Sequence, residues 1–412
     1  MFQPHKLLPL LLLISTPAWA WNNWHVSGFG SFGASRLQSN ALDYMDNKGT
    51  NWNFESDTVL GLQLNGNLAE RLSLTAQVVA RGYNWDDTGE FEPQLDWLFL
   101  RYQLSQSWRL RVGRLRTPHY LFSETLDVGY SYPWARPPLD VYAPVLAPFS
   151  SFDGMDLAYI SDWNGTAVDF QLLGGRMKRT RDSLSVKVSP MWGGNLKLQR
   201  DGLTLRYGLI FDRTDIHAGN LDQAQTLYDN YSSTNPVFGN IADALYANGD
   251  WYRYQSLGAN WEQRHFSITA EAFDIRNTDD GYTNNAHGWY ISTQYRFNLL
   301  TPYLVYGHHV ERFNQGARQD IIDSYGILPA GLPGNEALDT LRQLSLEAID
   351  GLSYEQYTWT AGIRYDLMPD MALKAEWQRF HFGSGTTGQL MQLTNDPPRH
   401  TSMVTVILDM VF

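Results

Sequence analysis

The sequence predicts an all-β fold, a single 16-stranded antiparallel transmembrane β-barrel. Three observations predict it. Segments of about ten residues alternate between apolar and polar side chains, so each can form a strand with one oily face. Short connections alternate with long ones, as in barrels that cross a membrane. Aromatic residues make up 14% of the chain and charged residues only 18%, which suits strands that end in belts of Trp and Tyr.

The alternation is clearest in residues 71–81, 203–211 and 357–367, where every second side chain is apolar. An even number of strands leaves both termini on the side of the short connections. The end of strand 7 and the start of strand 8 are not defined by the pattern, because residues 177–189 can belong to either the strands or the connection. The predicted strands are 24–37, 55–68, 71–83, 94–104, 108–117, 154–162, 166–176, 190–199, 203–214, 251–262, 265–277, 287–298, 301–313, 355–367, 371–383 and 401–412.

The first 20 residues have the pattern of a signal peptide. Lys6 precedes an apolar run over residues 7–14, and Ala18 and Ala20 provide the small side chains of a cleavage site before Trp21. The apolar run is too short to cross a hydrocarbon core of about 30 Å as a helix. We therefore expect residues 1–20 to be removed and residues 21–412 to form the barrel as one domain.

The last predicted strand ends on an aromatic residue at the C-terminus. Its apolar side chains occupy alternate positions up to the final residue, namely Val404, Val406, Leu408, Met410 and Phe412. This strand resembles the C-terminal signature by which outer-membrane barrels are recognised for insertion. The resemblance implies that the barrel-assembly machinery is a partner of the chain.

The fifth predicted strand ends in Arg111-Val112-Gly113-Arg114-Leu115-Arg116-Thr117-Pro118, and a long proline-rich connection over residues 118–152 follows it. A Gly-Arg pair near a strand end before such a connection resembles the Gram-negative outer-membrane porin superfamily, loosely its phosphate-selective type. The Pro-Glu-Phe-Gly-Gly motif of enteric general porins is absent. The resemblance implies sixteen strands, a homotrimer, and a third loop that folds into the barrel and narrows the pore.

The composition of this connection suits a segment packed inside a barrel. Its prolines restrict the backbone, and Tyr130, Tyr132 and Trp134 can pack against a wall while their polar tips face solutes. An ordinary surface loop is the alternative.

Charged residues near this connection predict the constriction of a pore. Arg101, Arg109 and Arg111 fall on the polar side of two adjacent strands. A row of guanidinium groups would attract anions and set a transverse field against carboxylates of the connection. Alternatively, the arginines pair with those carboxylates only to hold the connection in place. The charged residues of the connection that we include in the constriction are Glu124, Asp127, Arg136 and Asp140.

The acidic excess of the chain, whose net charge is −12, falls in three predicted outer connections, 84–93, 215–250 and 314–354. Their carboxylates either bind divalent cations that bridge to lipopolysaccharide or stay solvated. Residues 335–350 have helical spacing, with Leu338, Leu341 and Leu344 on one side, which predicts a short helix packed on the barrel rim within an outer connection.

Other patterns predict no chemistry. Gly28, Gly30 and Gly33 match a dinucleotide-binding string, but they lie inside a strand without the following helix. His308 and His309 are adjacent in a strand and point to opposite faces, so they cannot chelate one metal. We expect no catalytic site, no cofactor, no metal and no nucleic-acid partner.

The sequence therefore predicts a porin in the outer membrane of a Gram-negative bacterium, surrounded by outer-membrane lipid. It would form a water-filled channel for passive diffusion of small hydrophilic solutes, with a modest preference for anions. A selective uptake channel for sugars or other organic solutes is the alternative within transport. An outer-membrane enzyme, or an adhesin or receptor that uses residues 215–250 and 314–354, is the alternative of another class.

Overall fold

The structure is a computed structural model, and it describes most of the chain from residue 23 onward. The predicted leader, including Ala18 and Ala20, lies outside the described residues. The described ranges are 23–45, 47–48, 50–83, 89–142, 150–181, 184–245, 247–278, 285–312, 315–325, 327, 335–351, 353–383, 386–394, 396 and 398–412.

Sixteen strands of the described chain form one closed antiparallel barrel, in which neighbours along the chain pair with each other and the last strand pairs with the first. These strands are β1 (Trp24–Leu37), β4 (Val59–Ala69), β5 (Leu72–Arg81), β6 (Gln94–Gln103), β7 (Trp108–Arg116), β8 (Ser151–Trp163), β9 (Thr166–Arg181), β10 (Leu184–Arg200), β11 (Leu203–Ala218), β12 (Ala247–Gln263), β13 (Phe266–Asn277), β14 (Asn285–Tyr295), β15 (Leu300–Arg312), β16 (Tyr354–Met368), β17 (Met371–Phe382) and β19 (His400–Val411). A small three-stranded sheet contains β2 (Leu42–Tyr44), β3 (Asn47–Lys48) and β18 (Met391–Gln392).

The predicted number of strands and the closed antiparallel barrel are confirmed. The largest difference is at strands 7 and 8, because β9 and β10 continue through most of residues 177–189. Met177 pairs with Val188, and Arg181 pairs with Leu184. The pairing register shifts between Val188 and Met191. Pro190 lies in this interval, and such an irregularity accommodates a proline because it has no N–H group to donate to the ladder.

The two faces of the barrel wall differ as a membrane protein requires. On one face, large apolar side chains stay exposed, for example Leu98 at 41% and Val112 at 45%. On the other face, small polar side chains such as Thr360 and Thr405 are buried. In a bilayer the exposed apolar face contacts lipid. The polar face, called inward-facing below, surrounds the barrel axis.

The seam between β1 and β19 includes the final residue. Phe412 donates its main-chain N–H to the oxygen of Gly28 at 2.9 Å, and Gly28 donates back to the oxygen of Phe412 at 2.7 Å. On the inward side of the seam, the hydroxyl of Ser31 donates to Asp409 at 2.6 Å. The last strand therefore closes the barrel up to its terminal residue, which leaves no open sheet edge there.

Four helices lie in the two longest connections on the side of the long loops: α1 (Gly219–Ser232), α2 (Pro236–Ala244), α3 (Gln315–Asp323) and α4 (Asn335–Gly351). The predicted helix over 335–350 is confirmed, and the other three were not predicted. None of the helices in the described residues has the length and apolar character needed to cross a membrane.

The buried side of α4 differs from the predicted one. Leu338 and Ile349 are buried, but Leu344 is 58% exposed, because steps of three residues drift around a helix of 3.6 residues per turn. Arg342 is fully buried on this side. Its guanidinium group donates to the hydroxyl of Ser324 at 2.9 Å and pairs with Asp339. The helices thus share one small core.

Close strand approach at glycine gives a test of the barrel packing. A Cβ atom at Gly154 would lie 2.2 Å from the main-chain oxygen of Gly174, whereas a Cβ atom at Gly174 would meet nothing nearer than 3.8 Å. We expect Gly154→Ala to destabilise the barrel by about 1–3 kcal/mol through overpacking. Gly174→Ala should leave stability within about 0.5 kcal/mol. The measurement is the temperature at which the folded band of each variant converts to the unfolded band in detergent gels. Equal shifts of this temperature in the two variants would contradict the close strand approach at Gly154.

Candidate functional site

The connection between β7 and β8, residues 117–150, is the third on the long side of the barrel, as predicted, and is called the third connection below. Two short 3₁₀ turns, Ser123–Thr125 and Gly129–Ser131, interrupt its irregular backbone. Such a backbone leaves many N–H and C=O groups without partners of their own. In the described residues, inward-facing side chains of distant strands supply those partners.

Three cationic side chains bind main-chain oxygens of the third connection. Arg206 of β11, Arg364 of β16 and Lys374 of β17 each donate to two of these oxygens. The accepting oxygens belong to Pro118 and His119 for Arg206 (His119 at 3.0 Å), to Tyr130 at 2.7 Å and Tyr132 at 3.1 Å for Arg364, and to Gly129 and Trp134, both at 2.7 Å, for Lys374.

Two glutamates bind main-chain N–H groups of the same connection. Glu271 of β13 accepts from the N–H of Leu121 at 2.6 Å, and Glu376 of β17 accepts from the N–H of Ala135 at 3.1 Å. Both carboxylates are buried and also accept from tyrosine hydroxyls, those of Tyr290 at 2.7 Å and Tyr303 at 2.8 Å respectively. Inward-facing charges of both signs therefore anchor the third connection.

Arg136 of the third connection makes the most extensive side-chain contacts. Its guanidinium group donates to both oxygens of Asp57, at 2.9 and 2.7 Å. It also donates to Gln378 and to Thr405, each at 2.6 Å. Because Arg136 is buried, removal of its charge would leave the Asp57 carboxylate buried without a cationic partner.

Asp127 is neutralised by two arginines. Arg81 of β5 lies 2.8 Å from its carboxylate and Arg116, the last residue of β7, lies 2.7 Å away. Burial alone would raise the pKa of Asp127, but the two guanidinium groups outweigh it and hold that pKa well below its usual range. Asp127 is therefore ionised at neutral pH and fully paired.

Asp140 is buried against β15 and β16. Its carboxylate accepts from the hydroxyl of Thr358 at 2.9 Å, and its main-chain oxygen lies 2.9 Å from Nδ1 of His309. Among the described residues, no cation comparable to those at Asp127 compensates its burial, which raises the pKa of Asp140 to about 6.

The aromatic residues of the third connection pack rather than line open space. Tyr132 is 6% exposed and Trp134 is 1% exposed, and the indole N–H of Trp134 donates to Ser292 at 2.9 Å. The ring of Tyr130 lies under the guanidinium group of Arg364, 4.5 Å from ring centre to carbon, while its hydroxyl binds the main-chain oxygen of Pro369. These rings belong to the contact between the connection and the wall.

The predicted arginine row is present but unequally paired. Arg101 of β6 lies directly opposite Arg111 of β7 in the pairing register. Arg111 is held by Asp156 of β8, with N–O distances of 2.6 to 3.0 Å, and lies 3.5 Å from Glu124. Arg109 approaches Asp169 at 3.8 Å. Within the described ranges, no carboxylate lies within 4.0 Å of the Arg101 guanidinium group.

Asp156 was not among the predicted site residues, although one signal could have identified it. It lies on the polar side of β8 directly opposite Arg111, so the register of two adjacent strands brings the two charges together. Glu124 remains 64% exposed in the structure. Among the described residues of the site, the charges that are partly exposed and make no close ion pair are thus those of Arg101, Arg109, Asp169 and Glu124, on the side of β6 to β9.

Across the described part of the chain, no group of three or more His, Cys, Asp or Glu side chains could hold a metal ion. No protein-family model and no curated protein sequence matches the chain.

Solved structures do match the fold. The anion-selective porin from Comamonas acidovorans is 11% identical, with 94% of this chain and 99% of that protein covered and a TM-score of 0.55. OmpF of Salmonella typhi, in complex with daunomycin, is 11% identical, with 95% and 99% covered and a TM-score of 0.57. OmpT, an outer membrane protein of Vibrio cholerae, in its trimer form is 9% identical, with 95% and 100% covered and a TM-score of 0.51.

The fold is that of the outer-membrane porins. At 9–11% identity, the likeness concerns the fold alone. Within this porin-type fold, the functional assignment depends on the side chains described above.

The anchor at Arg136 gives a test by substitution. We expect Arg136→Met to destabilise the protein by about 3–5 kcal/mol, because it leaves Asp57 buried without its partner. Urea unfolding in lipid vesicles measures the loss, and protease should cut residues 117–150 faster. Arg318→Met is the matched control, since the exposed pair of Arg318 with Asp350 is worth less than about 1 kcal/mol. Equal losses in the two variants would contradict the anchoring role.

Asp140 gives a test by pH. Its raised pKa means that the folded protein binds this proton more tightly than the unfolded chain does, so protonation favours folding. As the pH falls from above 6 to below 4, the free energy of unfolding of the wild type should rise by about 3 kcal/mol relative to that of Asp140→Asn. This value follows from 1.36 kcal/mol per pKa unit. Urea unfolding of both proteins between pH 4 and 8 measures this difference, and a constant difference would refute it.

Proposed function

We propose that this protein is an outer-membrane porin, a water-filled channel for passive diffusion of small hydrophilic solutes with a modest preference for anions. The observation that carries the preference is Arg101, an inward-facing guanidinium group that no carboxylate of the described residues pairs. The third connection narrows the lumen in this proposal, and solutes pass on the side of β6 to β9.

The balance of charge along this side supports a modest rather than a strong preference. Arg101, Arg109 and Arg111 stand against Asp156, Asp169 and Glu124, and only the contact of Arg111 with Asp156 is a close buried pair. A half-exposed cation beside partly exposed carboxylates attracts anions weakly. Asp127, Arg136 and Asp140 contribute less to the field than the sequence suggests, because buried partners hold all three.

The burial of the aromatic residues weakens the alternative of a sugar channel. Sugar rings stack on exposed aromatic faces, whereas Tyr132 and Trp134 are almost completely buried. The proposal therefore favours small ions over sugars, and it assigns no catalytic chemistry to the chain.

The remaining parts of the proposal follow from the fold class. Residues 1–20 direct export of the chain and are then removed. The barrel-assembly machinery recognises the alternating apolar side chains that end at Phe412 and inserts the chain into the outer membrane of a Gram-negative cell. We propose a homotrimer by analogy with the trimer form of the Vibrio cholerae protein. Lipopolysaccharide and other outer-membrane lipids surround it.

A specific observation favours a second candidate role for the outer connections, that of a receptor or adhesin. The helices α1 to α4 of two separate connections share a buried core that includes Tyr228, Phe238 and Leu338, so they present a folded surface. If this surface is a receptor or adhesin, deletion of residues 219–245 and 315–351 should abolish binding of its partner to the cells. The conductance of the channel should stay intact.

Ion selectivity tests the proposed function directly. In planar bilayers under a salt gradient, the sign of the reversal potential of the wild type should indicate anion selectivity. Arg101→Gln should lower the anion-to-cation permeability ratio by about twofold or more. Arg379→Gln is the matched control, because Arg379 lies on the lipid-facing side of β17 and bonds Ser402. Cation selectivity in the wild type, or equal effects in both variants, would overturn the anion preference.

A further inference from the structure

Four histidines lie on the lipid-facing side of the barrel, close to the strand ends that carry the long connections. They are His287 of β14, His308 of β15, His381 of β17 and His400, the first residue of β19. Through Tyr357 of β16, the pairing register aligns His308 with His381. His381 in turn lies directly opposite His400. Three of the four histidines therefore lie in one row across neighbouring strands.

His381 and His400 face each other where side chains of two strands approach most closely. Phe382 donates its main-chain N–H to the oxygen of Arg399 at 2.9 Å, so the adjacent pair, His381 with His400, is a non-hydrogen-bonded pair. The Cα atoms of such a pair are only about 4.5 Å apart. The two imidazole rings lie 6.1 Å apart between their centres, with 37° between their planes. The backbone thus holds two imidazoles side by side.

Both imidazoles of this pair are exposed and keep their nitrogens available. His381 and His400 are exposed residues, and within the described ranges no hydrogen bond or ion pair reaches a nitrogen of either ring. The next lipid-facing position of β17 holds a cation, Arg379, whose guanidinium group donates to the hydroxyl of Ser402 at 3.0 Å. The ring nitrogens are therefore open to a ligand from solution.

The other two histidines differ because the protein itself occupies them. Nε2 of His308 lies 3.1 Å from Glu355, and its ring stacks on Tyr357 at 4.2 Å between centres. Glu355 also pairs with Arg312 at 3.0 Å. His287 approaches His308 only edge-on, with 6.4 Å between the ring centres. His381 with His400 is thus the uncommitted pair of the described row.

Two adjacent imidazoles specify the class of ligand. Imidazole nitrogen suits Zn²⁺, Cu²⁺ and Ni²⁺, whereas Ca²⁺ and Mg²⁺ take oxygen ligands. A bond from zinc to histidine nitrogen is about 2.0–2.1 Å long, so two nitrogens on one ion lie no more than about 4 Å apart. Exposed side chains change rotamer freely, and rotation of rings with this spacing brings two nitrogens within that distance. The charge of Arg379 repels cations, so coordinate bonds must carry the binding.

We propose that His381 and His400 bind one divalent transition-metal ion of the class of Zn²⁺, Cu²⁺ and Ni²⁺, with water at its remaining positions. The ion clips β19, the strand that closes the barrel, to β17, because one protein ligand belongs to each strand. A ligand that binds only the folded state stabilises that state. Two protein ligands are fewer than the four of a structural zinc site, so the ion exchanges with solution and its effect depends on its concentration.

Metal titration of the folded barrel in detergent tests the proposal, with Zn²⁺ and Cu²⁺ as probes and Mg²⁺ for comparison. The thermal midpoint of unfolding of the wild type should rise saturably by about 2 °C or more with Zn²⁺ and stay unchanged with Mg²⁺. His381→Gln and His400→Gln should each weaken Cu²⁺ binding about tenfold or more, because each removes one of two ligands. Electron paramagnetic resonance should show two imidazole nitrogens on the copper ion in the wild type.

His287→Gln is the matched control, because it removes a histidine from the same side of the barrel and leaves the pair intact. This variant should bind Cu²⁺ as the wild type does. Equal weakening in the control and in the pair variants would overturn the proposal, as would an equal rise with Mg²⁺ or no saturable binding by the wild type. Conductance and ion selectivity of His381→Gln should match the wild type, so a failure here is distinguishable from a failure of the proposed channel function.

Discussion

The anchoring of the third connection to inward-facing charges is the interaction on which the remaining structure depends. A barrel of sixteen strands encloses more space than its own inward side chains fill, and an irregular connection against its wall must find partners for its main-chain groups. Arg206, Arg364 and Lys374 supply donors, and Glu271 and Glu376 supply acceptors. These five residues lie on strands between β11 and β17. One continuous part of the wall therefore uses its inward-facing charges to bind the third connection.

This commitment decides which charges of the inner wall keep no close partner. A buried ion costs free energy unless partners compensate it, and each anchoring ion has such partners within the protein. Ion pairs compensate the charges of Asp127 and Arg136 in this way, although both residues belong to the connection itself. Asp140, also of the connection, accepts instead from the neutral hydroxyl of Thr358. On the other side of the barrel, Arg101 and Arg109 are only half-buried, so their field reaches water. Most anchoring charges therefore lie on β11 to β17, with a further anchor for Asp127 at β5 and β7, whereas Arg101 and Arg109 on β6 and β7 keep no close ion pair.

The sequence predicts the barrel well because lipid imposes a period of two on every spanning strand. It predicts the limits of β9 and β10 less well, since Pro190 and nearby glycines interrupt that period. The pairing of Arg111 with Asp156 was within reach of the sequence, because adjacent strands in register bring them together. The bond from Leu121 to Glu271 was not, because 150 residues separate the partners and only the path of an irregular backbone joins them.

The same requirement for partners applies to the outer surface, where the protein offers fewer of them. Inside the barrel, a charge without a close ion pair can stay partly exposed, as that of Arg101 does. On the lipid-facing side of β9, Arg176 and Lys178 have no carboxylate of the described residues within 4.0 Å. The inner wall thus balances most of its charge with side chains of the protein, whereas the described chain supplies no such partner for these two outer cations.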